Sequence, residues 1–316
     1  MKISGFSFVR NSDKLYYHIK EAILSILPIV DEFVVAVGEG DPDDTTRKSI
    51  ESINSDKVKI IDTVWDEKYM KRGKIHSIQT NIAKNACSGD WLFYLQADEI
   101  VHEKDHKIIV ENCNKYLDDK RVEGFLFKYN HFWGDYDHHH KSHRWYPLEI
   151  RIIRNDPNIH SWESAQSFRY SEDFKDPHQR EGTRKLRVIK TDAEIFHYGW
   201  VRPPHYMVTK SKAFAENHKG KARAEEIFKN IPKEFDYGPL DKIALFKGTH
   251  PKVMHHKIKE MDWKDKLQYT GKPNPNRELH KHETFKYRAV TFLEKILNGG
   301  NQIFGFKNYE IINNKK

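Results

Sequence analysis

The sequence predicts an α/β fold: a mixed, mostly parallel sheet flanked by helices, with a helical C-terminal extension. Three observations carry this. Over residues 1–130, short apolar runs alternate with amphipathic segments of roughly ten to fifteen residues, the pattern of parallel strands joined by helical crossovers. After residue 130 the strand-like runs shorten and are separated by polar loops. From Pro203 the chain turns charged and helical.

The elements follow in order. "ISGFSFV", Ile3 to Val9, is an apolar strand. The next segment opens on a candidate cap, Ser12, and sets Leu15, Ile19, Ile23 and Leu27 four apart on one helical face. "DEFVVAVG" is a buried strand ending at Gly38, and "DPDDTTRKSIESI" is a turn that becomes a helix. "KVKIID" is a third strand. "GKIHSIQTNIAKNAC" is a helix ended by the turn Ser88-Gly89-Asp90, and "WLFYLQ" is a fourth strand. A helix, "HEKDHKIIVENCNKYL", and a strand, "VEGFLFKYNHFW", complete the first part. Four strand-like pieces come next: "EIRIIRN", "SFRYS", "RKLRVIK" and "AEIFHYGW". Residues 263–283 hold two prolines and little apolar content, which predicts a linker or surface loop. The closing "FKYRAVTFLEKILNG" is amphipathic through Phe285, Val290, Phe292, Leu293 and Ile296. A helix docked on the core is its first expectation, a membrane-surface or partner helix the second.

Composition narrows the class. Seven Trp, fifteen Tyr and eighteen Phe supply a core, so global disorder is excluded. The formal charge of +8 favours polyanions, phosphates or an anionic surface as contacts. No basic block is interleaved with stacking aromatics, so no specific nucleic acid is expected. The longest apolar stretches run to about nine residues, where a membrane span needs roughly 20. "MKISGFSFVRN" has no long apolar region before its first charges and reads as no signal peptide. Cys87 and Cys113 stand outside any CxxC, which predicts buried free thiols and a cytoplasmic setting, with membrane-surface association as the variant.

One stretch raises the functional question. "WLFYLQADE" ends an apolar strand and then places Asp98 and Glu99 side by side. Ligands of open α/β sheets bind beyond the carboxyl ends of the strands. A hard divalent cation there takes carboxylate oxygens and shares itself with substrate phosphates. Solvated turn acids are the plainer alternative.

The upstream order gives this stretch a context. The first strand ends in "FVRN". The second runs into "GEGDPDDT", and a "GD" turn precedes the strand that leads to "QADE". This succession resembles the GT-A glycosyltransferases, specifically the inverting family 2, over roughly residues 1–130. Glu39-Gly40-Asp41 stands at the family's "DGS", Asp44-Thr45 at its "DxT", and Asn81 at its helical Asn. Gln96-Ala97-Asp98 stands at the metal-binding "DxD". Two positions depart: Gln96 and Gly38 stand where the family has Asp. The resemblance implies a GT-A-like (Rossmann-like) domain using a nucleotide-diphospho-sugar donor, a hydroxyl acceptor such as a glycan, and Mn²⁺ or Mg²⁺. It implies that Val9, Arg10 and Glu39 line the base pocket. Asn81, Gln96 and Ala97 belong to the donor site, and Asp98, helped by Glu99, holds the cation. Residues 1–130 would be the nucleotide-sugar half, 131–202 the acceptor-side and metal-completing half, and 203–316 the extension.

Further candidates lie downstream. His197 ends a strand-like "AEIF" beside Gly199 and suits a third metal ligand. Arg202 offers a planar fork to a phosphate. The run "DHHHKSH", Asp137 to His143, lacks helical i, i+4 spacing and is expected as a solvated or acceptor-facing loop. Inverting transfer needs a general base. Glu163, beside Trp162, is the first candidate, followed by Asp135 and Glu149. "FKGTHPKVM" is expected either to close the pocket or to serve as a structural turn. Two other functions compete. A sugar-nucleotide nucleotidyltransferase would carry a Gly-rich loop after the first strand, where this chain has "FVRNSDK". A basic polyanion-binding protein would need no metal.

Overall fold

The computed structural model describes residues 1–299, 302, 303, 305 and 307–312. The chain forms β1 (Ile3–Val9), α1 (Ile19–Ile26), β2 (Glu32–Gly38), α2 (Thr46–Glu51), β3 (Val58–Thr63), α3 (Lys74–Asn85), β4 (Trp91–Tyr94) and β5 (Glu99–Val101). Next come α4 (His106–Lys115), β6 (Gly124–Trp133), β7 (His138–His140), β8 (Leu148–Arg154), β9 (Ile159–Trp162), β10 (Ser167–Tyr170) and β11 (Arg184–Trp200). The C-terminal part contributes α5 (Pro204–Lys219), α6 (Lys221–Phe228), β12 (Ala244–Leu245), α7 (His255–Lys259), α8 (Phe285–Leu297) and β13 (Tyr309–Ile311).

The main sheet runs β3-β2-β1-β4-β8-β6-β11-β10-β9. β1 to β4 are parallel to one another, as the alternating pattern predicts. β8 is antiparallel to both neighbours, β4 and β6, which leaves β6 parallel to β4. β11 is parallel to β6, while β5, β7, β9, β10 and β12 pair antiparallel. The sheet is therefore mixed, and more antiparallel than the sequence pattern suggests. The physical consequence is that β1, β2, β3, β4, β6 and β11 all present their carboxyl ends along one edge.

Both faces of the parallel half are covered, which explains its continuous apolar runs. Phe33, Val35 and Val37 of β2 pack on one face with Ile19, Ile23 and Ile26 of α1 and Ile109 of α4. Val34 and Ala36 pack on the other with Ala83 of α3 and with Phe168. A third cluster joins Phe132, Phe196 and Tyr198 to Tyr237, Leu240, Met254 and Trp263, so the C-terminal part seals the far end of β6 and β11.

Several elements differ from expectation. The first helix begins at Ile19, not Ser12, because Asn11 and Tyr16 adopt positive φ (51° and 54°). The 11–17 segment is thereby a loop at the carboxyl edge. "RKLRVIK" and "AEIFHYGW" are one 17-residue strand, β11, with irregular register against β6 at two points. The 137–143 run is not a solvated loop. His138, His139 and His140 form β7 and are buried, packed by Asp135, Phe246 and Trp145 respectively. The 263–283 stretch is anchored: Trp263 is buried and donates to the Gly134 carbonyl, and Arg277 forks onto Glu283. The 246–254 turn lies behind β11, where His250 Nδ1 meets the Tyr198 hydroxyl at 2.7 Å. Cys87 and Cys113 are free and buried, as expected.

The turn into β4 is held by one acid. Glu32 Oε1 accepts from the Ser4 hydroxyl (2.7 Å), the Ser88 amide (2.7 Å) and the Ser88 hydroxyl (2.8 Å), and Lys59 reaches Oε2 (2.5 Å). Burial alone would raise its pKa, but Lys59, Ser4 and Ser88 outweigh it and bring it down to about 2. A carboxylate with a depressed folded pKa stabilises above its ordinary pKa of 4.5, and that contribution is lost as pH falls towards 2. Glu32→Gln is expected to cost roughly 2–3 kcal/mol at neutral pH in urea unfolding. The gap from wild type should close between about pH 4.5 and 2; a gap independent of pH contradicts the assignment.

Candidate active site

The turn between β4 and β5 decides the fate of the paired acids: the Glu99 amide donates to the Gln96 carbonyl (3.0 Å), and the chain reverses direction between the two strands. Asp98 emerges at the carboxyl edge, while Glu99 begins β5 and pairs with His197 of β11. The Tyr198 amide donates to the Asp98 carbonyl (2.9 Å), which locks the β4 tip to the end of β11.

Asp98 is 5% exposed. Lys210 of α5 donates to its Oδ2 at 3.0 Å and to the Gly199 carbonyl at 2.7 Å. Arg202 Nη2 lies 3.9 Å from the same Oδ2. Burial would raise the Asp98 pKa, but Lys210, His197 and Arg202 together hold it far below the ordinary carboxylate range. Lys210 is itself lowered to about 8, by burial first and by Arg202 second, against the pull of Asp98.

The other oxygen faces a lone pair. His131 Nε2 bonds the Tyr146 carbonyl (2.8 Å), so that nitrogen carries the proton. His131 Nδ1 then accepts from His197 Nδ1 at 3.0 Å. This network leaves His197 Nε2 without a proton, 3.9 Å from Asp98 Oδ1. Burial lowers the His197 pKa to about 4, despite Asp98, so the ring is neutral at neutral pH. Two acceptors facing one another at that separation suit a divalent cation between them. Gly199 keeps the space open: a Cβ there would lie 2.5 Å from His197 Nε2 and 2.9 Å from Asp98 Oδ2. Two protein ligands would leave most coordination positions of such a cation to water or other oxygen ligands. Among the described residues no group of three or more His, Cys, Asp or Glu could hold a metal.

Glu99 is not available as a metal ligand. It is fully buried and accepts a two-pronged pair from Arg151 (both 2.7 Å), plus the Tyr129 hydroxyl (2.9 Å) and the Gln96 amide (3.1 Å). It is an internal anchor that joins β5, β6 and β8. Arg202 is also fully buried. It donates to the Leu15 carbonyl and lies over Tyr17 at 5.2 Å, while Nε and Nη2 find no hydrogen-bond partner among the described residues. An arginine with two unsatisfied nitrogens beside Asp98 is prepared for an anion.

The remaining expected residues divide. Arg10 Nε donates to the Glu39 carbonyl (2.7 Å) and its guanidinium lies over Trp65 at 5.7 Å. A cleft of about 400 Å³ opens beside them, lined by Gly38, Glu39, Asp44, Arg47, Asp62 and Thr63 among others. Val9 is buried at the end of β1. Ala97 is buried, its carbonyl taken by the His18 amide (2.8 Å). Gln96 Nε2 donates to the Ala165 carbonyl (3.2 Å). Asn81 is not in the cleft: its side chain accepts from the Ser161 amide (2.9 Å) and ties α3 to β9.

Of the three candidate bases, two are spent inside the fold. Asp135 is fully buried and accepts from the Asp137 and His138 amides and the His138 ring. Glu149 is buried on β8, bonded by Ser167 and the Ile150 amide, and burial raises it to about 7. Glu163 keeps a partly exposed carboxylate with Arg180 3.7 Å away. It stands in a loop where Glu163 and Ala165 both have positive φ (52° and 59°), and that loop is tied to Gln96.

Sequence reasoning missed Lys210, Arg151 and His131. Lys210 is one of three lysines on α5 with nothing local to single it out. Arg151 carried a signal, a cation set between the isoleucines Ile150 and Ile152 of an otherwise buried run.

No family model matches the chain, and no curated protein matches it. Among solved structures it is similar to S. aureus TarS, at 16% identity and a TM-score of 0.39, over 72% of this chain and 42% of that one. It is similar to TarS 1-349 in complex with UDP-GlcNAc, at 15% identity and 0.36, over 72% of this chain and 70% of that one. It is also similar to glucosyl-3-phosphoglycerate synthase from Mycobacterium tuberculosis in complex with Mn²⁺, UDP and phosphoglyceric acid. That likeness has 18% identity and a TM-score of 0.27, over 42% of this chain and 43% of that one. The chain thus spans less than half the length of full TarS.

Removing one partner of a buried ion pair leaves the other uncompensated. Arg151→Met is expected to cost about 3–5 kcal/mol in chemical unfolding. Arg151→Met with Glu99→Leu should recover part of that loss; a double variant no more stable than the single one contradicts the anchor role.

Proposed function

We propose that the protein is a glycosyltransferase that moves a sugar from a nucleotide-diphospho-sugar to an acceptor hydroxyl, with inversion. The observation that carries the reading is the Asp98 cluster. A buried carboxylate, an imidazole lone pair, a guanidinium with two unpaired nitrogens and an ammonium converge at the carboxyl edge of the sheet, and an open cleft lies along the same edge at the ends of β2 and β3. Such a cluster suits a diphosphate, and the cleft lined by Glu39 at the end of β2 suits the nucleoside attached to it.

The residues take distinct roles in this reading. Asp98 and His197 would hold Mn²⁺ or Mg²⁺, which when bound neutralises charge developing on the departing diphosphate. Arg202 forks onto the diphosphate oxygens through its free nitrogens. Lys210 neutralises Asp98 and reaches the same oxygens. Glu163 removes the acceptor proton as the hydroxyl attacks the anomeric carbon. A sugar-nucleotide nucleotidyltransferase and a basic polyanion binder remain the competing functions, and each predicts a different response to the same measurements.

Donor turnover is measured over a panel of nucleotide sugars with Mn²⁺. Asp98→Ala is expected to abolish metal-dependent turnover. Glu163→Gln should retain donor binding and lose roughly 10²–10⁴-fold in kcat. Turnover by Asp98→Ala at the wild-type level sinks the site. Stabilisation by heparin without metal, equal to that by UDP or GDP with metal, favours the polyanion binder.

The lowered Lys210 pKa gives a pH test. A lysine near 8 loses its charge as pH rises through that value, so kcat/KM should fall on the alkaline side of about 8. Lys210→Arg should carry that limb upward. An alkaline limb that does not move in Lys210→Arg removes Lys210 from the ionisation.

A further inference from the structure

Helix α8 is mounted with its polar side inward. Glu294 is buried and accepts from the His143 ring (2.6 Å) and the Ile303 amide (2.7 Å). The Thr291 hydroxyl accepts from the His143 amide (3.0 Å). The apolar residues face outward: Phe285 is 86% exposed, Phe292 62%, Leu293 50%, Ile296 62% and Leu297 71%. At helical spacing these five fall on one stripe. Soluble helices normally do the reverse, and a contiguous exposed apolar patch marks an interaction site.

The charges at the border identify the occupant. On the helical wheel Lys286 lies at one edge of the stripe and Arg288 and Lys295 at the other. The one acid of the helix, Glu294, is turned inward. Residues 203–316 hold 23 Lys and Arg against 13 Asp and Glu, so the basic surplus of the whole chain lies in this part. A second copy seated on the stripe by a two-fold axis would set these cations against their own copies. An anionic lipid surface meets both requirements, apolar in its depth and negative at its headgroups.

We propose that α8 is an interfacial helix that lays this stripe into an anionic lipid surface, with Lys286, Arg288 and Lys295 at the headgroups. No helix among the described residues is long and apolar enough to cross a membrane, so the contact lies in the membrane plane. The long cationic side chains extend to the headgroups while their stems rest on apolar surface. The inference stands on α8 alone and is independent of the transferase reading.

The test is flotation of the full chain with phosphatidylcholine vesicles, with and without phosphatidylglycerol. Wild type is expected to float with the anionic vesicles and to be released by salt. Phe292→Glu with Ile296→Glu should lower partitioning roughly tenfold or more. Lys286→Glu with Lys295→Glu should remove the preference for phosphatidylglycerol. Circular dichroism checks that each variant is folded, and Phe285→Ser with Leu297→Ser serves if the first pair is not. Absence of wild-type binding to anionic vesicles overturns the proposal, as does equal binding by folded stripe variants. A wild-type dimer in sedimentation velocity that Phe292→Glu with Ile296→Glu dissociates, without vesicle binding, assigns the stripe to a second copy and also overturns it.

Discussion

A charge held out of water has to be compensated by other charges, and the carboxyl edge of this sheet is organised around that requirement. Asp98 is buried at the tip of β4. Left alone it would take up a proton. Lys210 and Arg202 keep it ionised from one side, and the His197–His131–Tyr146 relay turns a lone pair to it from the other. These groups come from α5, the turn after β11, β11 itself and β6. The end of the sheet and the start of the C-terminal part are therefore fastened to a single carboxylate. Two cations against one carboxylate leave the cluster positive, and a positive cluster at the end of a sheet attracts an anion.

The neighbouring acid shows how far a single step along the chain changes chemistry. Asp98 and Glu99 are adjacent and both acidic, yet one sits in the turn after β4 and the other begins β5, and they enter different environments. Glu99 meets Arg151 in a two-pronged contact with Tyr129 alongside, all inside the sheet. It stabilises the framework on which Asp98 is displayed. Gln96 fits the same division. Its backbone amide serves Glu99 and its side chain holds the loop that carries Glu163.

The C-terminal part applies the same logic to apolar surface. Its residues up to Trp263 seal the aromatic ends of β6 and β11. α8, by contrast, is attached through polar contacts to the 143 region and keeps its apolar side outward. Hydrophobic pattern alone identifies an amphipathic helix but not which side meets the protein. Here a buried glutamate bonded to a histidine decides it.

Local pattern was enough to place the parallel half of the sheet and Asp98 at its carboxyl edge. Periodicity is a local property, and a buried strand followed by an acid can be read without knowing what lies across from it. Val9, Arg10 and Glu39 lie along that same edge because parallel strands share their carboxyl ends. The antiparallel β8, the burial of the 138–140 histidines and the internal engagement of Asn81, Glu99 and Asp135 depend on partners brought in by the fold, as far along the chain as Phe246 is from His139. Lys210 reaches Asp98 across 112 residues. No local pattern encodes such a meeting: it exists only because α5 leaves the end of β11 and folds back over the tip of β4.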